Sequence, residues 1–227
     1  MTVKDNLKEI NQQIEVACQR ANRKTSDVNI IAVTKYVSKE RTVEAIVAGV
    51  LHLGENRVEG GVEKVEQIDL DATWHFIGSL QSKKVRKMIN KFQYIHSLDR
   101  LSLAEEIQKR IEENKIMKCF IQVNVSGEDT KAGLQPDQVI PFVENLKDYP
   151  NIEVVGLMTM APYEANPEDT RPVFQGLRKI KEDVQALQLP YAPCTELSMG
   201  MSNDYVIAIE EGATFVRLGS SLVGNEE

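Results

Sequence analysis

Apolar residues recur at three- and four-residue steps through the first part of the chain. Val3, Leu7, Ile10, Ile14, Ala17 and Ala21 form the stripe of an amphipathic helix over 3–23. From residue 29 the pattern changes to short apolar runs separated by helical stretches. The runs predict strands at 29–34, 51–54, 74–78, 94–97, 119–125, 153–158, 196–198 and 215–218. Ser38 predicts the N-cap of a helix over 39–48, and Asp99 the cap of a helix reaching Asn114. Val173, Leu177, Ile180, Val184 and Leu187 make one further apolar stripe. Strands alternating with helices predict an α/β chain with a parallel sheet, and eight strands is the number that closes a (β/α)8 TIM barrel. The N-terminal helix is extra to that repeat. An open doubly wound sheet is the competing arrangement. It calls for a glycine-rich turn after its first strand, and Lys35-Tyr36-Val37-Ser38 is not one. No linker or low-complexity tract breaks the pattern, so residues 1–227 read as a single domain. The stretch 162–169, with two prolines and little apolar content, reads as a long loop and a lid.

Composition narrows the class. The 227 residues are 42% hydrophobic, enough for a sizeable core, yet no run approaches the length needed to span a bilayer. The polar start Met1-Thr2-Val3-Lys4-Asp5-Asn6 lacks the apolar centre of a signal peptide. Cys18, Cys119 and Cys194 are odd in number and widely spaced, as expected for buried thiols in a reducing compartment. The chain reads as cytoplasmic. Its net charge of −7 opposes nucleic-acid binding. The basic stretch Lys83-Lys84-Val85-Arg86-Lys87 reads as a solvated helix face. No dimerisation patch stands out, and a monomer is expected.

The candidate chemistry sits at strand ends. The first strand runs into Lys35, and the far end of the chain carries two small-residue loops, Met199-Gly200-Met201-Ser202 and Gly219-Ser220-Ser221. A lysine at the mouth of a packed sheet is costly to bury unless neutral or paired, and such a lysine is often a nucleophile towards carbonyl carbon. Glycines let backbone approach phosphate oxygens, and serines donate to them. The pair of features points to a carbonyl compound bearing a phosphate, with pyridoxal phosphate the first candidate. Barrel sites lie at the carboxyl ends of strands, with phosphate commonly held after strands seven and eight. That rule places Lys35, Glu55, Asn56, Arg57, Gly78-Ser79, Ser198 to Ser202, Arg217 and Gly219 on one rim. Structural alternatives are open at each point: Lys35 reaching solvent or pairing with Glu55, the serine loops capping helices, and Arg217 in a rim ion pair. His52, His75 and His96 stand singly on strand patterns with no ligand spacing, which favours satisfied strand histidines over metal ligands. No Gly-x-Ser-x-Gly elbow or Walker loop is present, and Met158, Met160, Met199 and Met201 read as gap-filling residues.

The chain closely resembles the pyridoxal-phosphate homeostasis protein family, single-domain relatives of the alanine racemase barrel. The resemblance runs through Ala32-Val33-Thr34-Lys35, Gly54-Glu55-Asn56-Arg57-Val58 and Trp74-His75-Phe76-Ile77-Gly78-Ser79-Leu80-Gln81-Ser82-Lys83. It continues in Val123-Asn124-Val125-Ser126, Lys131-Ala132-Gly133-Leu134, Gly156-Leu157-Met158, Leu197-Ser198-Met199-Gly200-Met201-Ser202 and Val216-Arg217-Leu218-Gly219. It implies an alanine racemase N-terminal-domain-like barrel holding pyridoxal 5'-phosphate as a Schiff base on Lys35. By similarity Ser202, Gly219 and Ser220 hold the phosphate, Arg217 faces the pyridine nitrogen, and Asn56 and Ile77 line the ring. Ser220 stands where relatives often have Thr, which keeps the hydroxyl.

The family's role implies cofactor handling in vitamin B6 homeostasis, with cofactor-free PLP-dependent enzymes as recipients. Two physical features favour a carrier over a catalyst. The chain stops soon after strand eight, whereas two-domain racemases bring a second base opposite the lysine. Arginine also keeps its proton, so a ring nitrogen facing Arg217 makes the cofactor a weaker electron sink. A PLP-dependent enzyme such as an amino-acid racemase is the rival, and a Schiff-base aldolase-type barrel without cofactor a third reading. Delivery requires a second amine at the imine, for which Lys83 and Lys131 are the candidates, beside an equal reading of both as surface lysines.

Overall fold

The computed structural model describes residues 2–128, 132–162 and 165–226. Eight parallel strands close into a barrel in chain order: β1 (Asn29–Val33), β2 (His52–Glu55), β3 (Thr73–Phe76), β4 (Tyr94–Leu98), β5 (Met117–Gln122), β6 (Ile152–Met158), β7 (Glu196–Met201) and β8 (Phe215–Leu218). β8 returns to β1 with Ile31 beside Arg217. Every predicted strand is present, with ends shifted by a few residues. β5 stops at Gln122, earlier than expected; Val123 still donates to the Met158 carbonyl at 2.8 Å but also bridges Leu134. β7 runs further than expected, through a register shift between Ser198 and Met201.

The helices are α1 (Val3–Arg20), α2 (Lys39–Val47), α3 (Val58–Gln67), α4 (Val85–Met88), α5 (Leu101–Arg110), α6 (Val139–Asn145), α7 (Arg171–Ala186) and α8 (Tyr205–Glu210). α2 to α8 each follow a strand, and among the described residues no helix follows β8. α1 takes that place in the ring, lying between α8 and α2. Asn6 donates to the Leu222 carbonyl at 2.8 Å, Arg23 donates to the carbonyls of Ile209 and Ala213, and Tyr205 donates to Gln13. The helix that looked additional in sequence thus completes the outer layer.

Ser38 caps α2 as expected, accepting from the Arg41 amide. Asp99 does not cap α5. The N-cap is Arg100, extended and without a side-chain cap, and Asp99 instead pairs with the Arg100 guanidinium at 2.7 Å. α5 ends at Arg110, short of Asn114. α7 buries Phe174 beside Leu177 and Val184, so its stripe is wider than the aliphatic positions suggested. Of the expected lid, Tyr163 and Glu164 lie outside the described residues, and Pro167–Thr170 is a 3-10 turn leading into α7. Lys84 and Lys87 pair with Glu59, which makes the basic stretch a solvated face. The three cysteines are free and buried. Among the described residues no helix is long and apolar enough to cross a membrane.

Two apolar clusters hold the fold. The larger lies between sheet and helices, and the smaller, Ile31, Phe120, Val155, Met158 and Phe215 with Tyr94, fills the barrel interior. Between β1, β2 and α3 lies a buried polar knot. Glu55 accepts from Thr34 Oγ1 at 2.6 Å and from Lys64 Nζ at 2.9 Å, while Lys64 also donates to the Thr34 carbonyl. The Glu55 side chain is 3% exposed and that of Lys64 15%, so neither charge is served by bulk water. Lys64→Met strands the carboxylate, and urea unfolding should show a loss of about 3 kcal/mol or more. Pairing it with Glu55→Leu should recover part of that loss.

Candidate functional site

At the carboxyl ends of the strands a cavity of about 430 Å³ opens. All seven residues singled out from the sequence line it: Lys35, Asn56, Ile77, Ser202, Arg217, Gly219 and Ser220. Strand alternation brings most of them together. In β1, residues 29, 31 and 33 share one parity, and 35 continues it. The same holds for 52, 54 and 56, for 73, 75 and 77, and for 215, 217 and 219. Inward positions of four strands therefore end at the same mouth.

Lys35 lies two residues past β1, half-buried, its ammonium 4.6 Å from the Tyr36 ring centroid. It does not pair with Glu55, which is taken by Thr34 and Lys64. That knot, together with the bond from the Thr34 amide to the Gly54 carbonyl at 3.0 Å, fixes the backbone just before the lysine. Arg57 is exposed and caps α3, and is not among the residues lining the cavity. Ser198 is likewise inside β7, fully buried and below the rim, where the extension of that strand carries it. Lys83 is exposed and does not line the cavity, and Lys131 lies outside the described residues.

The β7–α8 and β8 loops face each other across the mouth. Ser221 donates to Ser202 Oγ from its hydroxyl at 2.9 Å and its amide at 3.4 Å. Gly200 has φ of +92°, and a Cβ there would lie 2.6 Å from that of Ala208, so the turn admits no side chain. Asp204 closes the same turn by accepting from the Met201 amide at 2.6 Å. Burial raises its carboxyl pKa, opposed by that hydrogen bond and by Arg217.

Arg217 is 5% exposed, and burial lowers its pKa to about 10 against the opposing pull of Asp204. Its guanidinium donates to Ser198 Oγ at 2.6 Å and to the Thr159 carbonyl at 2.9 Å. It is therefore no rim ion pair. The histidines do not stand singly either. His52 Nδ1 meets His75 Nε2 at 2.9 Å, His75 Nδ1 meets His96 Nε2 at 2.9 Å, and His96 Nδ1 meets Ser198 Oγ at 2.8 Å. They are satisfied strand histidines, but joined in one row through the barrel. Their spacing of 23 and 21 residues, about one strand–helix repeat, is the sequence signal for neighbouring inward positions. Tyr36, Gln122, Asp204 and Asn225 also line the cavity and were not singled out by sequence.

Residues 6–227 match the alanine racemase N-terminal domain family. The pyridoxal phosphate homeostasis protein of Aquifex aeolicus is 43% identical over 232 residues, covering 100% of both chains. The chain belongs to that family. A solved structure of an unknown protein from Bifidobacterium adolescentis matches with a TM-score of 0.90 at 31% identity, over 97% of this chain and 94% of that one. PipY of Synechococcus elongatus, solved with PLP bound, matches with a TM-score of 0.84 at 33% identity, over 98% and 100% of the two chains.

Burial lowers the pKa of His75 and His96 well below the ordinary 6.5, and that of His52 as well. They fold neutral, whereas the unfolded chain takes up protons near pH 6.5. Their contribution is present above that pH and is lost as the pH falls towards the folded values. Unfolding free energy should fall below about pH 6.5 by about 1.4 kcal/mol per pH unit for each buried histidine. Denaturant titrations from pH 7 to 5 measure the slope, which His96→Asn should reduce.

Proposed function

We propose that this protein binds pyridoxal phosphate at the barrel mouth through Lys35 and serves as a cytoplasmic, monomeric carrier of the cofactor. The observation that carries the reading is convergence. An amine, two serine-bearing loops and a buried guanidinium, drawn from three parts of the chain, line one cavity of about 430 Å³. That volume lies within the usual range for small-molecule sites. The residues also fit the group by their unmet needs. Asn56 Oδ1 is buried and lacks a hydrogen-bond partner among the described residues. A ring hydroxyl would satisfy it, or a phenolate oxygen would take the amide NH2 after rotation.

Bound pyridoxal phosphate supplies an aldehyde and an electron-withdrawing ring. The chain's residues then divide the work. Lys35 would hold the group through its amine, which can condense with an aldehyde carbon with loss of water. Ser202, Gly219 and Ser220 would hold the phosphate, Ile77 would pack against the ring, and Arg217 would donate towards the ring nitrogen. Arginine keeps its proton there, which leaves the ring a weak electron sink. Apart from Lys35, the described titratable side chains lining the cavity are Tyr36, Asp204 and Arg217. Tyr36 lies on the lysine's own side, and Asp204 is committed to the Met201 amide. None offers the second, opposite acid/base that racemisation needs. Release to cofactor-free recipient enzymes fits this inventory better than turnover.

Purified protein given pyridoxal phosphate should turn yellow, and borohydride should fix the group on the peptide containing Lys35. Lys35→Ala should lose both signals. A wild-type protein that stays colourless and takes no label would defeat the reading. Incubation of the loaded protein with single-enantiomer amino acids should give no sustained racemisation. Saturable turnover lost in Lys35→Ala would transfer the protein to the enzyme class.

A further inference from the structure

The row of imidazoles runs from Ser198, the partner of the cavity-lining Arg217, to His52 at the start of β2, and its hydrogens can be assigned by counting. Ser198 is fully buried, and its Oγ meets two groups among the described residues, Arg217 Nη1 at 2.6 Å and His96 Nδ1 at 2.8 Å. A guanidinium only donates, so the one acceptor open to the Ser198 hydrogen is His96 Nδ1. That nitrogen is then bare, and the His96 proton sits on Nε2, facing His75 Nδ1 at 2.9 Å. The same step repeats: His75 carries its proton on Nε2 and donates to His52 Nδ1 at 2.9 Å. His52, half-buried at the start of β2, has its own Nε2 hydrogen left for the amino-terminal mouth. The opposite polarity would leave the Ser198 hydrogen without an acceptor in a fully buried position, which a folded interior avoids. Packing keeps the rings in line: His75 stacks on Tyr94 at 4.3 Å and His96 on Phe120 at 4.2 Å. Burial and the nearby Arg217 charge both oppose a second proton on His96.

We propose that His96, His75 and His52 are positioning residues, a directional chain of neutral imidazoles protonated on Nε2 that turns the Ser198 lone pair towards Arg217. The consequence is that the guanidinium meets a fixed acceptor deep in the barrel and presents its remaining donors to the cavity. This rests on the reading of Arg217 as the group facing the ring nitrogen of pyridoxal phosphate. The hydrogen assignment itself does not need the cofactor.

The chain contains three histidines, so every imidazole signal in a nitrogen-15 correlation spectrum belongs to this row. The full-length protein without added pyridoxal phosphate should show the Nε2–H pattern for all three rings, with the reverse tautomer below about a tenth of the population. His52→Leu removes the last acceptor and strands the His75 hydrogen. It should shift the remote His96 signals towards a tautomer mixture, while His52→Asn, which keeps an oxygen near the Nδ1 position, should restore them. A purely structural role for His52 would leave the His96 pattern unmoved. In titrations with pyridoxal phosphate, His96→Leu should weaken binding about fivefold to tenfold, and His96→Asn should retain most of it. Nδ1–H or mixed tautomers in the wild-type protein, or a His96 pattern indifferent to His52→Leu, would overturn the proposal. Failure of the wild-type protein to bind pyridoxal phosphate, with the Nε2–H pattern intact, would count against the cavity reading and leave the relay standing.

Discussion

A guanidinium lies inside the closed sheet with almost no access to water, and much of the barrel interior follows from satisfying it. Arg217 is 5% exposed and, although burial lowers its pKa to about 10, it stays charged at neutral pH. An unmet charged donor there would cost several kcal/mol. A carbonyl from the end of β6 and a hydroxyl from β7 meet it directly, and the Asp204 carboxylate offsets its charge without contact. The hydroxyl needs an acceptor in turn, and so does each imidazole behind it. One buried cation thereby commits inward positions of β2, β3, β4, β7 and β8 to polar residues, leaving Ile31, Phe120, Val155, Met158 and Phe215 to fill the rest. The interior is a satisfied polar string set in a small apolar packing, and the larger core between sheet and helices carries the hydrophobic stabilisation.

Much of this was legible in the chain. Short apolar runs separated by helical stretches gave all eight strands and the closed topology, because burial on both faces of a parallel strand leaves a strong local mark. Lys35, Asn56, Ser202, Arg217 and Gly219 were legible because they lie at strand ends, where barrel chemistry gathers, whereas Ile77 came only with the family resemblance. What escaped depends on neighbours distant in sequence. The Asp99 cap failed because its guanidinium neighbour competes for the carboxylate. Lys64, on the α3 face turned to the sheet, claims Glu55 before Lys35 can. The row of histidines arises from stagger between adjacent strands, which periodicity within one strand does not report. The place of α1 in the helix ring depends on contacts with residues near 205–222, at the far end of the chain.

The two sides of the mouth are held differently, and the difference suits the proposed carrier. Thr34 is tied through its amide, its hydroxyl and its carbonyl to Gly54, Glu55 and Lys64. The next residue is Lys35, whose ammonium has a cation–π contact with the half-exposed Tyr36. Such a contact is worth about 0.5–1 kcal/mol at an accessible site. A fixed backbone sets where the amine can reach, and a weak contact lets it leave the ring without a large penalty. Across the cavity, the Gly200 turn tolerates no side chain, and Asp204 pins it to the start of α8. The loop that would grip an anion is therefore tightly built, while the amine that would form the covalent bond meets a weak cation–π contact. A ligand caught this way is located by its phosphate and ring. In the proposed reading the lysine would then decide only whether it stays, through a bond that a competing amine could exchange.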